Sequence, residues 1–292
     1  HNYPHLVKPL PFLIPIYPNS KWPAWKLRLG LFTYDLLSFF QQEKNHEWLS
    51  TSNVLNEETE LYEKGLKGAF RYYDAIMDYA RICVELALQA KFYGAEVYNY
   101  LQINDIKKNG DLYTLSIKDT LYGQDQNIQA RMVINASGPW SDIVTQTYDS
   151  KKPPILRPSK GVHIVTKPLT KSHALLLTTP QDQRVFFVIP WKGLSLIGTT
   201  DTDYNDSPDE LSISKEDINY LLTAINYYFP KSPLSHSDII SSFVGIRPLV
   251  SEHTLSVSDV SRKEKIIEHD EGFISLVGGK YTTFRHVGEK VA

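Results

Sequence analysis

Four short stretches carry small residues, which leave backbone open to close approach, and three of them add a cation or an imidazole. They are Asn135-Ala136-Ser137-Gly138-Pro139-Trp140, Lys160-Gly161-Val162-His163, Gly245-Ile246-Arg247-Pro248-Leu249 and Gly278-Gly279-Lys280-Tyr281-Thr282-Thr283-Phe284-Arg285. The planar fork of an arginine such as Arg247 binds phosphate oxygens bidentately, although a lone arginine serves equally as half of a surface ion pair. An imidazole such as His163, with an ordinary pKa of about 6.5, can take a hydroxyl proton at neutral pH. A lone histidine on a strand also serves structure alone. Lys280 follows Gly278-Gly279 at the end of a predicted strand and before a helix, where N–H donors face a negative charge; the plain alternative is a turn.

More widely distributed signatures fail at specific positions. Gly279-Lys280 mimics the end of a P-loop, but Tyr281 replaces the Ser/Thr and Ile274 stands where the first glycine belongs. Gly193-Leu194-Ser195-Leu196-Ile197 lacks the last glycine of a nucleophile elbow. Asp201, Asp203 and Asn205 begin a calcium loop that Asp206 and Ser212 break at the glycine and glutamate positions. The sequence contains no G-x-G-x-x-G, so no self-contained dinucleotide site is visible. Asp201, in Gly198-Thr199-Thr200-Asp201, reads as a hairpin turn residue and not as a catalytic one.

The chain that carries these residues has 292 of them, enough for one large domain or two of average size. With Cys83 alone, disulfides, zinc ribbons and iron–sulfur clusters are excluded. A formal charge of −2 argues against nucleic acid as a partner. No stretch reaches the ~18 to 20 apolar residues of a spanning helix, and no signal peptide is evident. The chain opens at His1 in a run of prolines (Pro4, Pro9, Pro11, Pro15, Pro18), which reads as a protein cut from something longer.

The positioning elements follow from spacing. Residues 1–21 are expected to be extended, because prolines exclude helix. A helix is expected from Trp25 to Phe40. It is either a core helix with Lys26 and Arg28 solvated, which its thin polar face favours, or a membrane-surface or quinone-facing helix. A second helix is expected over Tyr73–Phe92, with Ile76, Ala80, Val84, Ala87 and Leu88 on its apolar face and Gly94 as its stop. Strands are expected at Glu96–Tyr100, Tyr113–Lys118 and Gln129–Ile134, with Met132–Ile134 buried and leading into the turn at Ala136. Beyond a boundary at 151–158, strands at Gly161–Thr166, Ala174–Thr178, Val185–Pro190, Leu194–Gly198 and Ile239–Arg247, with a helix at Lys215–Tyr228, predict an antiparallel sheet under helical cover. The chain ends in a strand, Phe273–Val277, and a helix.

Together with Gly198-Thr199-Thr200-Asp201 and Trp25-Lys26-Leu27-Arg28-Leu29-Gly30-Leu31-Phe32, the four stretches closely resemble the FAD-dependent glycerol-3-phosphate dehydrogenases of bacterial respiration, in order and over nearly the whole chain. Each motif alone is weak; six in register are strong. The resemblance implies an α/β fold of the D-amino-acid-oxidase type. Its Rossmann-like FAD-binding part lacks the N-terminal G-x-G-x-x-G unit, and its α+β substrate part is built on an antiparallel sheet. The helical domain that usually follows is also missing, so the chain looks like the central portion of such an enzyme. The implied division is 1–70 scaffold, 71–150 FAD-binding, 151–255 substrate-binding and 256–292 FAD-binding again.

The family oxidises sn-glycerol 3-phosphate to dihydroxyacetone phosphate, passing a hydride to flavin and electrons onward to quinone. By resemblance, Arg247 and Arg262 bind the substrate phosphate, His163 is the base, and Lys280 serves both flavin and substrate. Ala136, Ser137, Gly138, Trp140, Gly278, Gly279, Lys280 and Thr282 line the FAD site, with no metal. The expected setting is the inner face of the cytoplasmic membrane, with peripheral attachment and a homo-oligomer in the full-length enzyme. Two rivals are a glycerol-3-phosphate oxidase that uses O2, and a fragment without the pyrophosphate contacts that holds FAD poorly and turns over little.

Overall fold

The computed structural model describes residues 3–37, 44–251 and 263–292. In chain order its elements are β1 (Val7–Pro15), α1 (Ala24–Leu37), β2 (Glu47–Leu49), α2 (Thr51–Glu57), β3 (Ala69–Met77), α3 (Tyr79–Phe92), β4 (Leu101–Asn109), β5 (Leu112–Asp119), β6 (Asp125–Ala130) and β7 (Val133–Asn135). There follow α4 (Ser141–Tyr148), β8 (Ser159–Thr166), β9 (Ala174–Thr178), β10 (Val185–Trp191), β11 (Leu194–Gly198), β12 (Thr202–Asp203), α5 (Lys215–Tyr228), β13 (Ile239–Arg247), β14 (Glu264–Asp270), β15 (Phe273–Gly278) and α6 (Phe284–Val291). They form two interleaved units. The first comprises His1–Tyr93, Val162–Thr200 and Ser212–Val244; the second comprises Gly94–Gly161, Asp201–Leu211 and Gly245–Ala292.

The first unit is built on a mixed, mainly antiparallel sheet in the order β8-β11-β10-β9-β1-β3-β2, with β13 also paired to β8. Strand β1 sits inside this sheet although it carries Pro9, Pro11 and Pro15. Ile16 N–H donates to the Gly68 carbonyl at 2.9 Å, so even-numbered residues turn their N–H groups toward β3. The odd-numbered prolines present to the other side, where β9 pairs only Phe12 and Leu13, and no ladder bond is lost. Helix α5 covers the sheet. Ser214 and Asp217 cap it reciprocally, and Leu221, Ala224 and Ile225 pack on Leu175, Phe186 and Ile197. Each such buried aliphatic side chain contributes about 1.5–3 kcal/mol.

In the second unit β4, β5 and β6 form an antiparallel meander, while β14, β15 and β7 form a sheet in which β7 runs parallel to β15. Helix α4 packs on β4, β7 and β15. Ile106, Tyr113, Leu115, Val133 and Phe273 make the core, and Leu156, Val250 and Val277 make a smaller one.

Helix α5, strands β9, β11 and β13, and the Gly94 stop at φ +93° fall where the spacing predicts. Four expectations are corrected. The first part of the helix expected over Tyr73–Phe92 is strand: Ala69–Met77 pairs with β1 along its length, and Asp78 caps the helix that follows by accepting from Arg81 N–H at 3.1 Å. Of α3 only Ile82 is buried, whereas Val84 and Leu88 are 48% and 54% exposed. Glu96–Tyr100 is irregular, and the strand begins at Leu101. Around β7 the side chains alternate, with Val133 and Asn135 buried but Met132 and Ile134 exposed. Helix α1 packs Leu31, with Ala24 and Leu27, on Ile14, Ile16 and Phe70, so one face joins a core, but its apolar residues Trp25, Leu29, Phe32 and Leu36 are exposed; residues 38–40 of that expected helix lie outside the described residues.

Candidate active site

In the second unit, β7 ends at Asn135, opposite Ser275 in the middle of the parallel strand β15. Ligands of open α/β sheets bind beyond such strand ends. Asn135 is buried there. Its Nδ2 donates to Ser141 O (2.9 Å), Thr145 Oγ1 (3.2 Å) and Ser275 Oγ (3.1 Å), while its Oδ1 accepts from Ser137 N–H (3.3 Å) and Ser137 Oγ (2.6 Å). The Ser137 hydroxyl is thus turned inward, which fixes the Ala136–Gly138 backbone. His269 Nε2 lies 2.9 Å from Ser275 Oγ and extends the network. Burial, and then the charge of Lys152, hold the His269 imidazole below its ordinary pKa of 6.5.

Gly138 has φ +59°, and a Cβ added there would meet nothing within 4 Å. This is a bare stretch of backbone that a flat or phosphorylated cofactor could approach, followed by a single 3-10 turn (Gly138–Trp140) and α4. Trp140 is 40% exposed and donates Nε1–H to Asp209 Oδ1 at 3.0 Å, tying the turn to the 201–211 segment. Gly278 and Gly279 behave differently. At φ +72° and +83° they require glycine, but a Cβ at Gly278 would strike Lys263 O at 2.7 Å and one at Gly279 would meet Glu264 Cβ at 3.3 Å. Their small size serves the fit to the chain leading into β14. Lys280 and Thr282 are exposed, and Lys280 O accepts from Thr283 N–H at the turn before α6.

Arg247 ends β13. Its Nη1 donates to Asp201 Oδ1 at 3.2 Å and to Ser159 Oγ at 3.3 Å. Ser159 Oγ in turn donates to Asp201 Oδ1 in a short hydrogen bond. The chain beyond Arg247 is held by Arg157 N–H on Leu249 O and Ser251 N–H on Ile155 O, both 2.7 Å. Val250 then packs with Leu156 and Val277, within reach of Gly278. The structure therefore brings the Arg247 segment and the Gly278–Lys280 segment onto one small core. Arg262 lies outside the described residues.

His163 belongs to the first unit, on β8. Its ring stacks on Phe243 at 5.0 Å with the planes 12° apart. Gly198 is its partner in β11, and a Cβ on Gly198 would lie 2.4 Å from His163 Cδ2. The imidazole occupies a slot between a glycine and a phenylalanine. Val162 N–H donates to the buried Thr200 Oγ1 at 2.9 Å and fixes the adjoining backbone.

Sequence reasoning missed Ser159, Asn135, Gly198 and Phe243 as contributors and read Asp201 as a turn residue. A polar Asn135 closing an apolar strand was a usable signal. The contact of Gly198 with His163 depends on strand register, which no local pattern reveals.

The profile of the FAD dependent oxidoreductase (DAO) family matches residues 2–284. Over 296 residues the chain is 34% identical to the aerobic glycerol-3-phosphate dehydrogenase of Staphylococcus haemolyticus, with 99% of this chain and 53% of that protein covered. It superimposes on the glycerol-3-phosphate dehydrogenase of Bacillus halodurans, solved in complex with FAD, with a TM-score of 0.80 at 30% identity, covering 98% of this chain and 51% of that one. It shares the fold of the L-α-glycerophosphate oxidase of Mycoplasma pneumoniae, with a TM-score of 0.70 at 16% identity, covering 94% and 68%. The chain spans about half the length of the curated relatives it matches.

Proposed function

This chain belongs to the FAD dependent oxidoreductase family, and from that premise we propose that the protein oxidises sn-glycerol 3-phosphate to dihydroxyacetone phosphate and delivers the electrons to quinone. The observation that supports this best is the composition of the second unit. It carries bare backbone at Gly138 beyond a parallel strand pair and a fixed guanidinium at Arg247. Bound FAD supplies the hydride acceptor. The Ala136–Trp140 turn and the Gly278–Thr282 segment would hold it, with the exposed Lys280 ammonium offering positive potential.

Arg247 binds the substrate phosphate through its planar fork, aided by Arg262. His163 takes the C2 hydroxyl proton while the hydride leaves C2, so one proton and one hydride depart and a ketone remains. The slot made by Gly198 and Phe243 keeps the imidazole in a single orientation for that transfer.

The quinone assignment draws on α1. Trp25, Leu29, Phe32 and Leu36, spaced along one face, are 65%, 61%, 52% and 53% exposed, with Lys21, Lys26 and Arg28 close in sequence. An exposed apolar stripe with basic residues suits the surface of an anionic membrane, here the inner face of the cytoplasmic membrane. Among the described residues no helix is long and apolar enough to cross one.

Turnover of the FAD-loaded protein with sn-glycerol 3-phosphate, followed with a soluble quinone and with an oxygen electrode, tests this reading. Quinone reduction without peroxide is expected. Oxygen uptake with stoichiometric peroxide would make the protein an oxidase, and inertness toward glycerol 3-phosphate would remove the substrate assignment.

A further inference from the structure

Arg247 carries an acidic neighbour that a phosphate-binding arginine does not obviously want. Asp201 Oδ1 lies 3.2 Å from Nη1, and the two side chains are only 14% and 24% exposed. A carboxylate so close to the guanidinium repels an incoming phosphate by Coulomb's law, and the partial burial limits screening.

The position of Asp201 is nonetheless fixed from both sides. Strand β12, which begins at the next residue, pairs antiparallel with the start of β8, Thr202 opposite Lys160 and Asp203 opposite Ser159. Arg157 holds Asp203 with Nε on Oδ1 at 2.9 Å and Nη2 on Oδ2 at 3.1 Å. Ser159, fully buried, donates to Asp201 and accepts from Arg247, closing a three-membered ring of hydrogen bonds. A serine at the first residue of β8 and an aspartate before β12 thus converge on one nitrogen of one arginine.

An arginine side chain has much rotamer freedom to lose when it orders. Two acceptors on Nη1, one carried by paired backbone and the other by the residue that leads into β12, settle the plane of the guanidinium before any ligand arrives. This is preorganisation, and it offsets the repulsion that the carboxylate introduces.

Resting on the reading above, we propose that Asp201 and Ser159 are positioning residues that hold Arg247 for a phosphate monoester. A bare ion pair and a positioning clamp predict opposite signs. If Asp201 matters only through its charge, removing it strengthens anion binding. If it positions Arg247, removing the acceptor weakens binding, and an amide that keeps an acceptor restores it.

The test titrates inorganic phosphate into the wild-type chain and into Asp201→Ala, Asp201→Asn and Ser159→Ala, alongside KM and kcat for glycerol 3-phosphate in the FAD-loaded protein. The clamp predicts about tenfold weaker phosphate binding in Asp201→Ala, recovery to within about threefold in Asp201→Asn and about threefold loss in Ser159→Ala. KM rises in parallel while kcat stays within about threefold. Equal or tighter phosphate binding by Asp201→Ala, or no saturable phosphate binding by the wild type, overturns the clamp. Should Asp201→Ala not fold, Ser159→Ala decides alone: the expected loss supports the clamp and unchanged affinity overturns it. Phosphate binding that responds as predicted, in a protein inert toward glycerol 3-phosphate, would sink the substrate reading and leave the clamp standing.

Discussion

In the first unit the His163 ring lies in a slot, with the bare α-carbon of Gly198 on one side and the ring of Phe243 stacked on the other. In the second, Arg247 is held by hydrogen bonds and charge from Asp201 and Ser159, and the turn at Ala136–Gly138 is held by the five hydrogen bonds of Asn135 described above. The difference matches the tasks proposed for them. A base transfers a proton well only from a well-defined position, and close packing on both faces of a ring restricts where that ring can lie. An arginine stays charged at any ordinary pH, so a carboxylate can orient it at the cost of some repulsion.

The largest effect that could break this comparison is removal of the imidazole itself. His163→Ala is expected to lower kcat by about 10²–10⁴-fold with FAD content unchanged, read by steady-state kinetics and by absorbance of the desalted protein. Unchanged turnover would take His163 out of the chemistry.

Holding by shape is sharpened by Gly198→Ala. The new methyl would sit 2.4 Å from His163 Cδ2, so the ring must move. A misplaced base is expected to cost about 10²-fold in kcat with little change in KM. A crystal structure showing the ring undisturbed, or a wild-type kcat, would deny that the slot matters.

Holding by hydrogen bonds is sharpened by Asn135→Ala, which leaves Ser275, Thr145 and Ser137 without their common partner. Ser275 keeps His269 and Thr145 keeps the Ser141 carbonyl, so the loss is that of the hydrogen bonds of Asn135 itself, each worth about 0.5–1.5 kcal/mol; a clear drop in Tm and loss of FAD retention are expected while phosphate affinity is kept. A Tm equal to wild type would show that the network is incidental.

The smallest effect is in the pH dependence of stability. The His269 imidazole is held below 6.5 in the folded protein, so the unfolded chain binds that proton more tightly and stability is lost as the pH falls below about 6.5. Asp270 adds to the acid limb. The Tyr148 hydroxyl and Lys108 hold its carboxyl at about 2 against an ordinary 3.8, and their contribution is lost as the pH falls through that interval. Denaturation curves of His269→Asn should be flatter between pH 7 and 5 than those of the wild type; identical slopes would reject the assignment.

The elements that local sequence specifies were legible: α5 starts at a serine cap and buries one face, and β9 and β11 are short apolar runs. Strand β3 was not, because Tyr72 and Ile76 suit a helix as well as a strand and only pairing with β1 decides between them. The exposure of α1 and α3 was equally hidden, since periodicity reports which residues share a face and not whether anything covers it. In the candidate site the small-residue turns and Arg247 stood out as motifs. Their supports, Ser159 and Asp201 at Arg247 and Gly198 and Phe243 at His163, come together only through strand pairing and packing across sequence distance.

The decisive measurement is the visible spectrum of the FAD-loaded, desalted protein, recorded without oxygen before and after addition of sn-glycerol 3-phosphate. Absorbance near the flavin's usual ~450 nm should be retained and should bleach on addition of the substrate, and Asp201→Ala should bleach only at about tenfold higher concentration. A yellow protein whose spectrum is unmoved by glycerol 3-phosphate at any concentration would contradict the proposed function.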